Sequence, residues 1–513
     1  MTKILMKFKE KPLGLSLSLS FLFLAALSRF VLLDNKPIHF DESINMWFVE
    51  RIWQEGFFRY DPTNYHGPLL FYLIQFLQLF TGFDFLSTRW VATLFSFFTL
   101  VLLWFGPERE RTAFRWAAVF LLLSPAMGFY GRSGIHESAF VFFQVVGFLS
   151  FHFLVARDFK RFWWYFSAGL LGMMALKETF VILILSFLPA AALILLIERK
   201  RWTREAWIQN LVQSFKSREV YIPLLGMVLL FLGVYSGFGS NPRGIVDFFV
   251  ALMPWLKTGV QGHGHEKGFL TWSEMMGKNE FAILAGAALS LPFLLKNRWI
   301  LFYFTFSFLL WLIYSLIPYK TPWCLISILW PFAVLAGFGV EEFLKKFKRL
   351  RWRVPVATTL GILLVAEAWI MGRVLYRDPI DMDHAYVYVN STYQMKEFIK
   401  KTQEVISENP LLREQTVQVG TEESWPIPIV FKTVYNLSYF RPPMKVEDGA
   451  MIYMADTQDQ KLMEDTLKAR QQSALYGKFT LDVRQGRSPI LVYLKKDLFQ
   501  GRFSWPLKNV ESP

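Results

Sequence analysis

Phe180–Ile197 reads FVILILSFLPAAALILLI, an uninterrupted apolar run without a single charge. Such a run approaches the roughly 20 apolar residues that carry a helix across a bilayer. Leu13–Leu33, Trp90–Phe105 and Leu301–Ile317 are runs of the same kind, and several similar ones lie between them. Repetition of this pattern predicts a mainly α, polytopic membrane protein.

Composition agrees. Of 513 residues, 53% are hydrophobic, 18% aromatic and 19% charged, against about a quarter charged in a soluble globular chain. Lys3, Lys7, Lys9 and Lys11 precede the first apolar run, and no small-residue cleavage site follows it, so it reads as an uncleaved span. The lone cysteine, Cys324, excludes an internal disulfide framework and a multi-cysteine zinc site. The net charge of +14 does not point to nucleic acid. From Tyr376 to Pro513, 18 Lys plus Arg balance 18 Asp plus Glu, so the excess belongs to the membrane part.

Basic residues favour cytoplasmic loops. Glu108–Arg115, Arg157–Arg161, Glu198–Glu219, Lys296–Arg298 and Glu341–Arg353 carry them and are placed inside with the N-terminus. Asp34–Arg89, Gly131–Glu137, Lys177-Glu178, Gly239–Glu280 and Pro318–Pro322 then face outside. Pro68–Phe80 breaks the alternation if it spans. It is short, carries Gln75 and Gln78, and reads instead as a helix along the interface. The expectation is eleven spans in the plasma (inner) membrane over residues 1–375, with an extracytoplasmic domain over 376–513.

That domain alternates short β-type runs, Thr416–Val419, Asn436–Phe440, Met451–Met454, Phe479–Val483 and Ile490–Leu494, with a helical stretch at Asp459–Gln471, which predicts a small α/β fold. No internal repeat or low-complexity tract interrupts it.

Ionisable residues gather at the external ends. His39-Phe40-Asp41-Glu42 follows the first span and leads into a segment whose Trp47, Phe48, Ile52 and Trp53 suit the headgroup level. Asp41 reads either as a helix cap, with Glu42 at the positive end, or as an acid/base or cation-binding group. Tyr65-His66-Gly67-Pro68 combines a glycine suited to close backbone approach with a proline that starts a helix. Arg132 and Glu137 flank a third corner, and Lys177-Glu178 interrupt apolar sequence at a fourth, either as a structural pair or as functional groups. His263, His265 and Glu266 in a Gly-rich loop supply three ligand types for a divalent cation, although their spacing is not a strong zinc pattern, and a solvated loop fits equally. Pro318-Tyr319-Lys320-Thr321-Pro322-Trp323 sets a lysine where it can snorkel to headgroups or meet a phosphate.

These elements resemble the GT-C superfamily of membrane glycosyltransferases, over most of Leu13–Arg373. The likeness is to the glycosyltransferase family 39-like members, which include protein O-mannosyltransferases and the lipid A aminoarabinose transferases. An Asp-Glu pair after the first span (Asp41-Glu42), a Pro-initiated surface helix (from Pro68) and an Arg opening the next span (Arg89) occur in the family's order. His39 to Ser43, Tyr65 to Pro68, Lys177-Glu178 and Lys320 to Trp323 resemble more closely a mannosyltransferase-like branch described as flippase-activity-associated.

The resemblance implies inverting transfer of a sugar from a polyprenyl-phosphate donor in the membrane lipid to an unidentified extracytoplasmic acceptor. It implies catalytic roles for Asp41, Glu42 and His66, donor-phosphate contacts from Arg132, Lys177 and Lys320, and substrate contacts from Tyr65, Arg89, Glu137, Glu178 and Tyr319. One departure matters: where aminoarabinose transferases carry Glu-Lys-Pro, this chain has His66-Gly67-Pro68, so another cation must replace that lysine. The alternative is a lipid-linked sugar translocase or flippase-accessory protein. Such a path needs charges through mid-span, and Glu367 is one of few.

Overall fold

The computed structural model describes residues 12–64, 66–197, 204–261, 264–422, 425–439, 446–499 and 501–503. Lys3 to Lys11, Tyr65, Glu198, His263 and Phe440 lie outside the described residues. The chain divides into two compact units. One contains Arg51–Asp378 with the first helix; the other joins Asp34–Glu50 to the chain from Pro379 onward. The loop after the first helix thus belongs with the C-terminal unit, which linear sequence does not reveal.

In the first unit, seven of the described helices are long and apolar enough to cross a membrane: Leu86–Trp104, His136–Val155, Phe180–Ile197, Arg218–Tyr235, Arg298–Leu316, Pro322–Lys346 and Leu350–Arg377. Gly14–Phe30, Leu69–Thr81 and Phe281–Phe293 are shorter apolar helices. Arg111–Leu123 and Pro125–Tyr130 are separate helices joined at Ser124, and Phe159–Met174 has 16 residues. The eleven expected spans therefore divide into seven that reach full length and others that are short or broken.

Burial sorts these helices. The apolar window of Pro322–Lys346 is 89% buried while that of Leu350–Arg377 is only 17% buried, so the former forms the centre and the latter offers Ile362, Val365 and Trp369 to lipid. Lipid tails are as apolar as leucine, so helices associate through close packing and hydrogen bonds. A Cβ on Gly169 would come within 2.2 Å of the Gly147 Cα, which is why the neighbouring helices His136–Val155 and Phe159–Met174 can lie so close. Inside this packing, Trp330 Nε1 donates to Gln144 Oε1 at 2.7 Å and Gln144 Nε2 donates to Ser327 Oγ at 2.9 Å.

The second unit is built on a five-stranded sheet in the order β2-β1-β3-β5-β4, with β1 Thr416–Gly420, β2 Asn436–Tyr439, β3 Ile452–Asp456, β4 Tyr476–Leu481 and β5 Ile490–Lys495. β1 is parallel to β2 and β3, and β5 is antiparallel to β3 and β4. Helix Gln460–Ala469 packs Met463 and Leu467 against Tyr453, Leu491 and Tyr493. A further helix, Tyr393–Glu408, starts where Thr392 Oγ1 accepts from Met395 N at 3.1 Å. It buries Met395, Phe398, Ile399, Thr402, Val405 and Ile406, the spacing of one amphipathic face.

Candidate functional site

His66-Gly67-Pro68 and the Lys177-Glu178 corner, more than a hundred residues apart, lie side by side. Gly67 N donates to Leu176 O at 3.0 Å and Leu69 N to Ala175 O at 3.1 Å, and His66 bridges Lys177 through the backbone. Only glycine fits the crossing, because a Cβ on Gly67 would lie 2.2 Å from the Ala175 carbonyl oxygen. The ring of His136 stands 4.9 Å from that of His66 and 5.2 Å from Phe71, and Lys177 Nζ pairs with the Glu137 carboxylate. Tyr60 donates to Glu178 Oε1 at 3.2 Å. His66, Glu137, Lys177 and Glu178, singled out from distant segments, are thus one cluster.

Charge states there follow from burial. Burial alone would lower the Lys177 ammonium, but the Glu137 carboxylate against it wins and holds it above its ordinary value. For Glu178 burial wins and pushes its carboxyl up to about 8, against its backbone hydrogen bond and the nearby Lys177. A neutral acid beside an ion pair results at pH 7.

A second pairing joins the Gly-rich loop to the Lys320 segment. Lys267 N donates to Pro318 O at 3.2 Å, Lys320 N to His265 O at 3.0 Å, and Glu266 bridges Tyr319. The lysines cross: Lys267 Nζ donates to Lys320 O at 2.6 Å, and Lys320 Nζ donates to Lys267 O at 3.1 Å and Ile317 O at 2.5 Å. Cys324 is close enough to interact electrostatically with Lys177, Glu137 and Lys267, so the two pairings adjoin. His265 meets Tyr319 edge-on at 5.0 Å, and Glu266 Oε1 accepts from Gly264 N at 3.2 Å. His263 lies outside the described residues, and no group of three metal-ligating side chains forms among those described.

The arginines close off the first helix. Arg132 donates to Ser28 O at 3.2 Å, Leu32 O at 2.7 Å and the Tyr376 hydroxyl at 3.0 Å, and Arg89 Nη1 donates to Leu33 O at 2.7 Å. Both satisfy carbonyls at a helix C-terminal end, where positive charge is favoured. Burial lowers Arg132, with Tyr376 opposing.

Asp41 and Glu42 lie in the second unit. There the first loop pairs with the start of the C-terminal segment: Phe40 N donates to Val389 O at 3.1 Å, Ser391 N to Ile38 O at 2.9 Å, and His39 bridges Asn390. Helix Phe40–Glu55 begins at this pairing. Glu42 Oε2 accepts from His39 N at 2.9 Å and His39 Nδ1 accepts from Asp41 N at 3.1 Å, a reciprocal cap. The capping carboxylate is therefore Glu42, and the half-buried Asp41 carboxylate is not needed for that purpose. Lys432 Nζ to Glu50 at 2.8 Å and Trp47 against Trp425 at 6.3 Å tie the helix to the sheet domain.

Arg484 stands over the Phe40 ring at 4.7 Å, and Tyr388 is near enough to feel Arg484, Arg487 and Asp41. Sequence reading missed these three partners, since Arg484 and Arg487 sit in a domain of balanced, mixed charge. Tyr60 was more accessible, lying in the loop that carries His66.

Residues 65–215 match the family model described as dolichyl-phosphate-mannose-protein mannosyltransferase. No curated protein matches. Among solved structures, ArnT from Cupriavidus metallidurans bound to undecaprenyl phosphate is similar with a TM-score of 0.60 at 11% identity, covering 93% of this chain and 98% of that one. The apo state of the same protein gives 0.58 at 12% identity, covering 94% and 99%.

Proposed function

We propose that this chain, whose fold is that of ArnT from Cupriavidus metallidurans, is a GT-C glycosyltransferase that uses a polyprenyl-phosphate sugar and inverts its anomeric centre. The observation that carries this reading is the extent of the likeness to a protein solved with undecaprenyl phosphate, which covers 93% of this chain and 98% of that one.

In the proposed reaction the acceptor oxygen attacks the anomeric carbon from the face opposite the lipid phosphate. The bond from that carbon to the phosphate oxygen breaks, its electron pair leaves with the polyprenyl phosphate, and Asp41 takes the acceptor proton. Charge developing on the leaving group calls for fixed cations in a water-poor site. Lys177 and Lys320 are the proposed donors of that charge, with Arg132 and Arg89 holding the end of the first helix in register. His66, Glu137 and Glu178 would keep Lys177 in place, and Tyr319 would border the sugar. We place the cluster and the sheet domain on the external face of the plasma (inner) membrane, from the distribution of basic loops. A bound divalent cation remains a separate proposal, tested by chelation.

The translocase alternative finds no favour in the buried carboxylates. Glu367 Oε1 accepts from Ala282 N at 2.6 Å and Glu280 Oε1 from Ala126 N at 2.8 Å. Each sits at the start of a short helix, where an acidic group stabilises free N–H groups.

Purified protein incubated with radiolabelled polyprenyl-phosphate sugars and a cell-envelope extract tests the reading. Loss of a general base costs about 10²- to 10⁴-fold, so Asp41→Asn should cut transfer by that factor without unfolding the protein. Transfer at the wild-type rate would remove Asp41 from the mechanism.

A further inference from the structure

Helix Gly244–Gln261 has 18 residues, yet it is not one of the seven described helices long and apolar enough to cross a membrane. Its polarity is inverted relative to a helix in water. Gly244, Asp247, Phe248 and Ala251 are buried, with the Phe248 ring 4.9 Å from that of Tyr235 and 5.4 Å from that of Phe231. Val246, Phe249, Val250, Met253, Leu256 and Val260 are each at least 50% exposed. These six recur at helical spacing and share one face. The carboxylate of the helix therefore turns toward protein, where Arg243 Nε pairs with Asp247 at 3.4 Å, and the apolar side turns away from it.

Both ends of the helix are tied to the same side of the membrane unit. At its start, a Cβ on Gly244 would lie 2.1 Å from the carbonyl oxygen of Tyr235, the residue that ends the span Arg218–Tyr235. At its other end, Gly259 O accepts from Tyr319 N at 3.5 Å, just past the end of the span Arg298–Leu316. The Tyr235 hydroxyl donates to Met174 O at 2.8 Å, close before Lys177 in the chain, and Cys324, close after Tyr319, interacts electrostatically with Lys177. Each end thus stands at the level of the Lys177 corner. A helix of 18 residues is about 27 Å long, so one with both ends at a single level lies along the membrane rather than across it.

A continuous face of six large apolar side chains does not suit water. Lipid is the occupant that the surroundings favour: Leu229 and Leu230 on the preceding span, and Leu316 at the end of the later one, are more than half exposed, so surface of the kind that meets acyl chains flanks the helix. Lys257 is the exposed cation on this face, and its long stem lets an ammonium reach phosphates from the hydrocarbon edge. We propose that Gly244–Gln261 is an interfacial helix, seated side-on in the leaflet on the Lys177 side, with phospholipid acyl chains against its six apolar side chains and Lys257 at the headgroups. The chain then runs on to Lys267, so this lipid contact adjoins the crossing of Lys267 and Lys320. The seating is independent of the reaction catalysed, and it stands or falls apart from the sugar-transfer reading.

Nitroxide labels on Val246→Cys, Val250→Cys, Met253→Cys and Val260→Cys, introduced singly into the full chain on a Cys324→Ser background in phosphatidylcholine nanodiscs, test the proposal. Oxygen concentrates in hydrocarbon and a nickel chelate in water, so these labels should be relaxed more by oxygen and report depths of about 5–10 Å below the phosphates. A label on Lys461→Cys, exposed on helix Gln460–Ala469, is the aqueous control and should be relaxed more by the chelate. The unsubstituted chain gives an independent readout: phospholipids with a photoreactive acyl chain should crosslink to the peptide that contains Val250 and Met253. Labels relaxed mainly by the chelate would put the face in water, and labels shielded from both reagents but broadened by a second copy would put it in an oligomer contact. Either result overturns the proposal, as does absence of the crosslink.

Discussion

The Lys177 corner and the Asp41 surface both gather charge, but they treat it differently. At the corner, Lys177 meets Glu137, Glu178 meets Tyr60, and the Lys320 ammonium is spent on two backbone carbonyls. Around Asp41, the structure leaves Ser391 and Asn390 with buried polar atoms unmet. Paired charges resist change and fix geometry, even though His136 Nε2 at the corner also lacks a partner; at Asp41 the helix cap uses Glu42 and leaves the neighbouring carboxylate to other work. Substitutions at the corner should therefore be read first in stability, and those near Asp41 first in turnover and binding, the Asp41→Asn loss being the largest effect expected anywhere in the chain.

The sharpest way to break this contrast is to unpair Lys177. Removing one member of a buried ion pair costs about 3–5 kcal/mol, whereas replacing both by apolar groups of similar volume is often neutral. Glu137→Leu should accordingly lower the thermal midpoint of the detergent-solubilised protein severely, by leaving the ammonium uncompensated. Lys177→Met combined with Glu137→Leu should recover most of that loss while abolishing transfer. If the double variant is as active as the wild type, the corner is structural only, and the donor cation must be sought elsewhere.

Glu178 sharpens the comparison through pH. Its folded pKa, about 8, lies above the ordinary 4.5, so the folded state binds a proton more tightly than the unfolded one. The stability this contributes is fully present below about 4.5 and is lost as pH rises through about 8. At about 1.4 kcal/mol for each tenfold difference in proton affinity, the change is on the order of a few kcal/mol. Glu178→Gln, which mimics the neutral acid, should flatten the decline in thermal midpoint between these limits. An unchanged slope would mean that the carboxyl is ionised at pH 7.

Much of this was legible in the chain because its signals are local. Apolar runs such as Phe180–Ile197 declare themselves by length, and Gly67-Pro68 announces a close crossing followed by a helix, which the 2.2 Å approach to Ala175 explains. Five short β-type runs foretold five strands, displaced by a few residues at most. Pairings across long separations were not legible. His66 with Lys177, His265 with Lys320, and Asp34–Glu50 with the C-terminal unit depend on packing that no spacing encodes. Breaks inside apolar segments were not legible for a related reason: hydropathy finds the segment but not the interruption at Ser124 that splits one of them. Arg484 was hidden by the balanced charge around it.

The smallest effect concerns Glu42, and it tests whether neighbours in sequence share a role. Glu42 is 1% exposed, with its Oε2 accepting from His39 N at 2.9 Å, whereas Asp41 is half-buried and its backbone N–H is already met by His39 Nδ1. That bond makes Nδ1 an acceptor and puts the imidazole proton on Nε2. Loss of a capping side chain costs about 1 kcal/mol. Glu42→Gln keeps an oxygen for His39 N and should leave the thermal midpoint almost unchanged, while Glu42→Ala should lower it modestly; if the carboxylate serves only the cap, transfer by Glu42→Gln should stay within about threefold of wild type, far from the loss a general base would produce. A collapse of turnover in Glu42→Gln with stability intact would instead make the two adjacent carboxylates partners in the chemistry, and the division of labour between cap and base would have to be abandoned.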